Sequence, residues 1–219
     1  STQSKTIWFA VHEAWSLAWP TIITMTSFTV MQFTDRLMVG QIGKVEIAAQ
    51  GNAGTWAFAA IATIMGAVTV VNTFVSQNLG AKQPKRGSKY PWNAGWMALV
   101  CWVAIIVPFI FVIPHIFNTI NPSPEDEKLV SLESMYATYM LLGSLFLLVG
   151  RGFTQYFLGM HMPKIITVST ILANIINVLA NYILIFGEGG IDGVLPGIPG
   201  TPKLGLEGAA IATVIGMFM

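Results

Sequence analysis

Residues 20–43 read PTIITMTSFTVMQFTDRLMVGQIG, and the reading of this run as a membrane helix decides the fold. No charged residue occurs between Glu13 and Asp35, a helical length that covers most of a hydrocarbon core of ~30 Å. Asp35 then stands near the far end of a span. An ionised group there costs roughly 2.5–3.5 kcal/mol or more and normally faces a bundle interior or a wet cavity. At ~100° per residue, Thr21, Thr24, Phe28 and Gln32 project to the same side as Asp35. Thr24, Phe28 and Gln32 are therefore expected to line a cavity beside the acid, and Pro20 to kink the helix at its start. The competing reading is a hydrated acid ahead of a loop, paired with Arg36 or Lys44.

Working outward, the composition agrees with a membrane protein. The 219 residues are 54% hydrophobic and 10% charged, with mean hydropathy +0.66, where a soluble domain carries about 25% charge. The net charge of +1 offers no electrostatic case for nucleic acid. The single cysteine, Cys101, supports neither a disulfide framework nor a thiolate metal site. No nucleophile–base pair, H-E-x-x-H or phosphate loop is visible, which argues against an enzyme. Glu125, Asp126 and Glu127 read as a solvated helix start, so no firm metal site is expected and no cofactor.

An all-α polytopic fold is expected, with spans at about 17–40, 52–79, 92–113, 134–158, 164–186 and 206–219 forming one six-helix unit over residues 1–219. Trp8, Trp15 and Trp19 form an interfacial row ahead of the first span. Gly51, Gly54 and Gly66 are expected close-packing points of the second, which Pro114 does not belong to, since it is expected to close the third. Gly208, Ala212 and Gly216 give the sixth a small-xxx-small seam. That last segment is about 14 residues, ~20 Å, shorter than the hydrocarbon core, so the chain is expected to stop inside its sixth helix.

The fifth span carries a second polar row: Thr167, Thr170, Asn174, Asn177 and Asn181 share a narrow stripe. Asparagine is a poor helix former and costly in lipid unless hydrogen-bonded. Such a row is either a cavity wall or interhelical glue worth ~0.6–2 kcal/mol per bond. Amide oxygens also suit hard cations. The basic residues orient the chain. Lys82, Lys85, Arg86 and Lys89 fall on the same side as Lys5 and Lys164, opposite Glu46, Glu125, Asp126, Glu127, Glu133, Glu188, Asp192 and Glu207. The positive-inside rule then puts the N-terminus in the cytoplasm of a plasma (inner) membrane protein. Asp35 and Asn181 come out at matching depth.

The pattern Pro20…Asp35-x-x-x-Val39-Gly40-x-x-Gly43 followed by Ala48-Ala49 resembles the opening helix of the multidrug and toxic compound extrusion (MATE) transporters. Val75-Ser-Gln-Asn-Leu-Gly-Ala81 is similar to the end of their second helix. Met162-Pro-Lys with Asn177 and Asn181-Tyr-Ile-Leu, then Leu204-Gly-Leu-Glu-Gly-Ala-Ala-Ile-Ala-Thr213, is similar to their fifth and sixth. The resemblance implies the N-terminal lobe of a secondary active exporter that exchanges H⁺ or Na⁺ for organic, cationic compounds. It also implies a missing C-terminal six-helix lobe as partner, besides membrane lipid and the small-molecule substrate. By this likeness the coupling site is Asp35, Asn177, Asn181 and Thr213, with Asn174 one turn earlier, and Pro20 marks the bend of helix one. Some members have a second acid where this chain has Asn181, so a site here carries one formal negative charge and leaves H⁺ and Na⁺ both open. Two other readings stand beside this one: a flippase for lipid-linked sugars of the same superfamily, and a non-transporting six-helix membrane module.

Overall fold

The computed structural model describes residues 2–190 and 196–218; Asp192 and Met219 lie outside the described residues. Among those described, every regular element is a helix. The first, α1 (Thr2–Gly40), is unbroken over 39 residues and contains Pro20. At 1.5 Å per residue it is ~58 Å long, well beyond a ~30 Å hydrocarbon core. Its early turns carry the exposed Trp8, Trp15 and Trp19, side chains suited to a membrane–water boundary.

The second passage is two helices, α2 (Lys44–Val68) and α3 (Val70–Gly80), joined at Thr69. There the Thr69 hydroxyl donates back to the Gly66 carbonyl at 2.5 Å, and Asn72 N donates to Thr69 O, three residues back. This tightening locally displaces the regular helical bonding pattern. A short α4 (Pro84–Gly87) leads into the third passage, α5 (Tyr90–Cys101), a π turn at Trp102–Ile106, and α6 (Val107–Ile120). Pro108 sits just past the π turn; it has no N–H to donate and its ring crowds the carbonyl four residues back, which a widened turn relieves. Pro114 does not end this passage as the sequence suggests. It lies inside α6, which runs on to Ile120, and its carbonyl accepts from the Asn118 side chain at 2.9 Å.

Two long helices follow, α7 (Glu127–Gly159) and α8 (Pro163–Phe186), and then α9 (Leu206–Phe218). Lys44–Gly80, Pro84–Ile120, Pro124–Gly159 and Pro163–Gly189 are long and apolar enough to cross a membrane, and Leu206–Phe218 is a shorter apolar helix. The chain is thus a multi-pass membrane protein. The α1 helix is absent from that group because Thr21, Thr24, Thr26, Thr29, Thr34, Asp35 and Arg36 dilute its apolar content.

Helices in lipid associate through close van der Waals packing, since lipid tails are as apolar as leucine. The strut of this bundle is α7, packed against α2, α3, α5, α6 and α9. Small residues make that possible. Ala49, Ala53 and Ala57 recur every four residues on α2 and are fully buried. A Cβ on Gly152 would sit 3.2 Å from that of Ala94, and one on Gly159 would be 2.8 Å from Val75 Cβ. Gly51, Gly54 and Gly66 do not act in this way. A Cβ on any of the three would meet nothing within 4 Å, because it is the alanine face of α2 that turns inward. Gly208 and Gly216 do pack closely, against the Leu184 backbone and the Asn177 side chain.

Candidate functional site

The site grows out of how α1 and α8 pair. Thr167 Oγ1 donates to Pro20 O at 3.1 Å, Asn174 Nδ2 to Ser27 Oγ at 2.7 Å, and Asn181 Nδ2 to Asp35 Oδ1 at 2.7 Å. The partners are 147, 147 and 146 positions apart. A constant offset means parallel helices in fixed register, and Thr167, Asn174 and Asn181 are spaced by sevens, the repeat that keeps one seam facing a neighbour. Thr24 adds a fourth link, its hydroxyl lying 3.0 Å from Thr167 Oγ1 and 2.9 Å from Pro20 O, either of which can accept its one proton. The polar row of the fifth span and that of the first are two halves of one seam.

Asp35 closes the seam. It is 8% exposed, and among the described residues its hydrogen bond comes from Asn181. It pairs with neither Arg36 nor Lys44, since Lys128–Glu46 is the ion pair found among the described residues. Asn181, 1% exposed, spends both amide hydrogens, the second going to Asn177 Oδ1 at 3.1 Å. Asn177 in turn donates to Ala212 O of α9 at 3.1 Å. A relay therefore runs from the carboxylate on α1 through two amides on α8 to the backbone of α9. Among the described residues it leaves the Asn181 Oδ1 oxygen buried with no donor.

Thr213 joins from another direction. Its hydroxyl donates back to Ala209 O at 2.9 Å, and the buried Tyr136 lies near it, close to Gln50 and Asp35. The Gln50 Oε1 oxygen is also buried without a donor. One carboxylate and several amide and hydroxyl oxygens make an oxygen-only donor set, suited to a proton or a hard monovalent cation. Among the described residues no three His, Cys, Asp or Glu side chains gather for a transition metal.

Phe28, Gln32 and Thr170 stand apart from these bonds. Phe28 is 46% exposed, Gln32 is exposed and Thr170 is half-buried. The α1 residues bonded to α8 are Pro20, Thr24, Ser27 and Asp35, while Phe28 and Gln32 stand on the exposed flank beside the acid. Ser27 is the residue that sequence reasoning missed on this helix; its seven-residue spacing from Pro20 is a signal that was there to find. Tyr136 and Gln50 were also missed, and no local pattern marks them, because α7 and α2 bring them in from distant parts of the chain.

The helices of membrane-crossing length, with the buried Asp35 bridged by amides to two other helices, define a polytopic helical membrane protein. The chain belongs to the MatE family, whose model matches residues 20–183. Its relatives include the probable multidrug resistance protein NorM of Neisseria meningitidis serogroup A, strain Z2491, 27% identical over 203 residues, which cover 91% of this chain and 40% of that protein. The protein of the same description in Synechocystis sp. PCC 6803 is 25% identical over 182 residues, 83% of this chain and 36% of that one. The chain thus spans about 40% of the length of the curated relatives it matches. A MATE crystal structure in a straight conformation superposes with a TM-score of 0.78 at 20% identity, covering 94% of this chain and 42% of that one. A MOP superfamily transporter from Pyrococcus furiosus gives 0.75 at 21% identity, covering 92% and 41%. These structures share the fold, and the match falls on one lobe of each.

Proposed function

We propose that this chain is the N-terminal lobe of a secondary active multidrug exporter, not an enzyme, that exchanges H⁺ or Na⁺ for organic, cationic compounds. The observation that carries this is the Asp35–Asn181–Asn177 relay, a buried carboxylate on α1 wired to α8 and α9 beside a buried amide oxygen that has no donor among the described residues. The family membership and the NorM relatives support the drug-export reading. The coupling residues are Asp35, Asn174, Asn177, Asn181 and Thr213, and Thr24, Thr170, Phe28 and Gln32 line the cleft that opens toward a second lobe.

The N-terminus and the basic turns lie in the cytoplasm of the plasma (inner) membrane, and the partner is a C-terminal six-helix lobe. In such a pair the acid acts as a switch. Ionised, it requires the amide row or a bound cation; protonated, it needs neither and can relax into the bundle. Because the same seam ties the Pro20 carbonyl to Thr167, a change at Asp35 is passed down α1 to a proline that cannot complete the helical bonding, and the cleft changes shape.

The test is efflux of a fluorescent cationic dye from vesicles holding the full-length protein under an imposed pH or Na⁺ gradient. The parent exports, and Asp35→Asn, which mimics the neutral acid, does not while remaining folded. Export by Asp35→Asn equal to the parent across pH 6 to 8 would overturn the proposal.

A further inference from the structure

Two turns of this chain share one backbone. After α3, Ala81 N donates to Gln77 O at 2.9 Å, Lys82 N to Leu79 O at 3.0 Å and Gln83 N to Asn78 O at 2.8 Å. After α7, Met160 N donates to Tyr156 O at 2.9 Å, His161 N to Leu158 O at 3.0 Å and Met162 N to Phe157 O at 2.9 Å. Lys82 and His161 both have φ 58°, in the left-handed region, and each is followed by one residue and then a proline that starts the next helix. The sequences agree at the same places: Leu79-Gly80-x-Lys82-x-Pro84-Lys85 and Leu158-Gly159-x-His161-x-Pro163-Lys164. Matched bonding and a matched proline make both turns rigid platforms.

What differs is charge. The first turn continues into α4 and holds Lys82, Lys85, Arg86 and Lys89 in eight residues, all exposed. None of them is ion-paired among the described residues, where Lys128–Glu46 is the pair found. Residues 47–124 contain no Asp or Glu at all. The cluster does not float. Gly87 is buried against Val75, to whose Cγ1 an added Cβ would come within 3.6 Å, and Ser88 Oγ donates to Lys85 O at 2.9 Å. Tyr90 stacks on Phe74, with ring centroids 5.2 Å apart and planes 7° from parallel. Beside it stand Trp92, 66% exposed, and Trp96, 69% exposed, the amphipathic rings that settle at headgroup depth.

We propose that the turn of residues 82–89 is a docking surface for anionic phospholipid headgroups, with Lys82, Lys85, Arg86 and Lys89 binding the phosphates and Trp92 and Trp96 fixing its depth. The occupant follows from complementarity. Four uncompensated cations on a pinned turn, flanked by interfacial tryptophans, meet a negative lipid surface at close range, where each basic side chain adds to the attraction and salt weakens it. A cluster held clear of the bundle's acids is free to act outward. The inference rests on the chain being a multi-pass membrane protein and not on its cargo, so it stands or falls apart from the export reading.

The second turn is a built-in control, since it has the same backbone and one lysine, Lys164, at the position of Lys85. The experiment measures the association of spin-labelled phosphatidylglycerol and phosphatidylcholine with the full-length protein in vesicles. The parent prefers phosphatidylglycerol. Replacing Lys82, Lys85, Arg86 and Lys89 by Gln cuts that preference roughly fivefold or more, and the pairwise variants K82Q/K85Q and R86Q/K89Q each lose part of it. K164Q keeps it. Unchanged preference in the fourfold variant, or in both pairs should the fourfold variant not fold, overturns the proposal. So does an equal loss in K164Q. Displacement of the lipid by millimolar inorganic phosphate would also overturn it, by showing a free-anion site instead of a lipid surface.

Discussion

Asp35 and Glu133 are both carboxylates withdrawn from solvent among helices, and they are furnished in opposite ways. Glu133, at 0% exposure, has an amide donor for each oxygen: Asn52 Nδ2 at 2.7 Å on Oε1 and Asn121 Nδ2 at 3.2 Å on Oε2. The three residues come from α2, the end of α6 and the first turns of α7, so the acid staples three elements at one end of the bundle. Among the described residues Asp35 receives one amide, and that amide's own oxygen is without a donor. A carboxylate with a partner for each oxygen is a fixed structural group; one held by a single amide beside unpaired oxygens is poised to take up a proton or a cation. On the proposed function, the contrast separates a rivet from a switch within one fold.

The comparison breaks most visibly in transport. Asp35→Asn is expected to bring gradient-driven efflux down to the level of protein-free vesicles with its thermal midpoint within a few degrees of the parent. Glu133→Gln keeps most of the efflux, because Asn52 or Asn121 can turn its amide oxygen toward the new amide. Loss of transport in both variants would erase the distinction. A smaller effect is expected on coupling from Asn181→Ala, which removes the ligand and not the titrating group. Its efflux falls roughly tenfold, the factor that corresponds to ~1.4 kcal/mol, and remains measurable in the same vesicles.

Stability then reverses the order. Glu133→Ala leaves two amides without an acceptor and is expected to destabilise the protein by about 1–3 kcal/mol in a denaturant titration, while Asp35→Ala costs less. Lys128→Ala has the smallest effect, at most about 1 kcal/mol. The Lys128–Glu46 bridge, 2.7 Å long, has a lysine that is 67% exposed, and solvent screens such pairs.

The sequence speaks clearly about this site only where one helix carries the message. Thr167, Asn174 and Asn181 repeat every seven residues, and an intramembrane acid at Asp35 marks the partner; together they point to a seam before any coordinates exist. The register of that seam is a matter of packing, so the sequence does not single out Ser27, which meets Asn174, and does not show that Phe28 and Gln32 lie on the exposed flank beside the acid. The interior contacts of α2 were misplaced for a similar reason. Its glycines looked like the close approaches, yet its alanines face α7. Glu133 was legible only as one acid among many on its side, because Asn52 and Asn121 lie 81 and 12 residues away in sequence. Proximity of that kind is created by the fold and leaves no periodic trace.

The central claim, that Asp35 is the exchanging group and Glu133 is not, is tested most directly by counting ions. Purified full-length protein is titrated with a cationic substrate in weakly buffered solution with and without Na⁺, and the H⁺ released or Na⁺ displaced per substrate bound is measured for the parent, Asp35→Asn and Glu133→Gln. The account predicts that Asp35→Asn exchanges one ion fewer than the parent and that Glu133→Gln matches the parent. An Asp35→Asn protein with the parent's full exchange, or a Glu133→Gln protein that loses an ion, would contradict it.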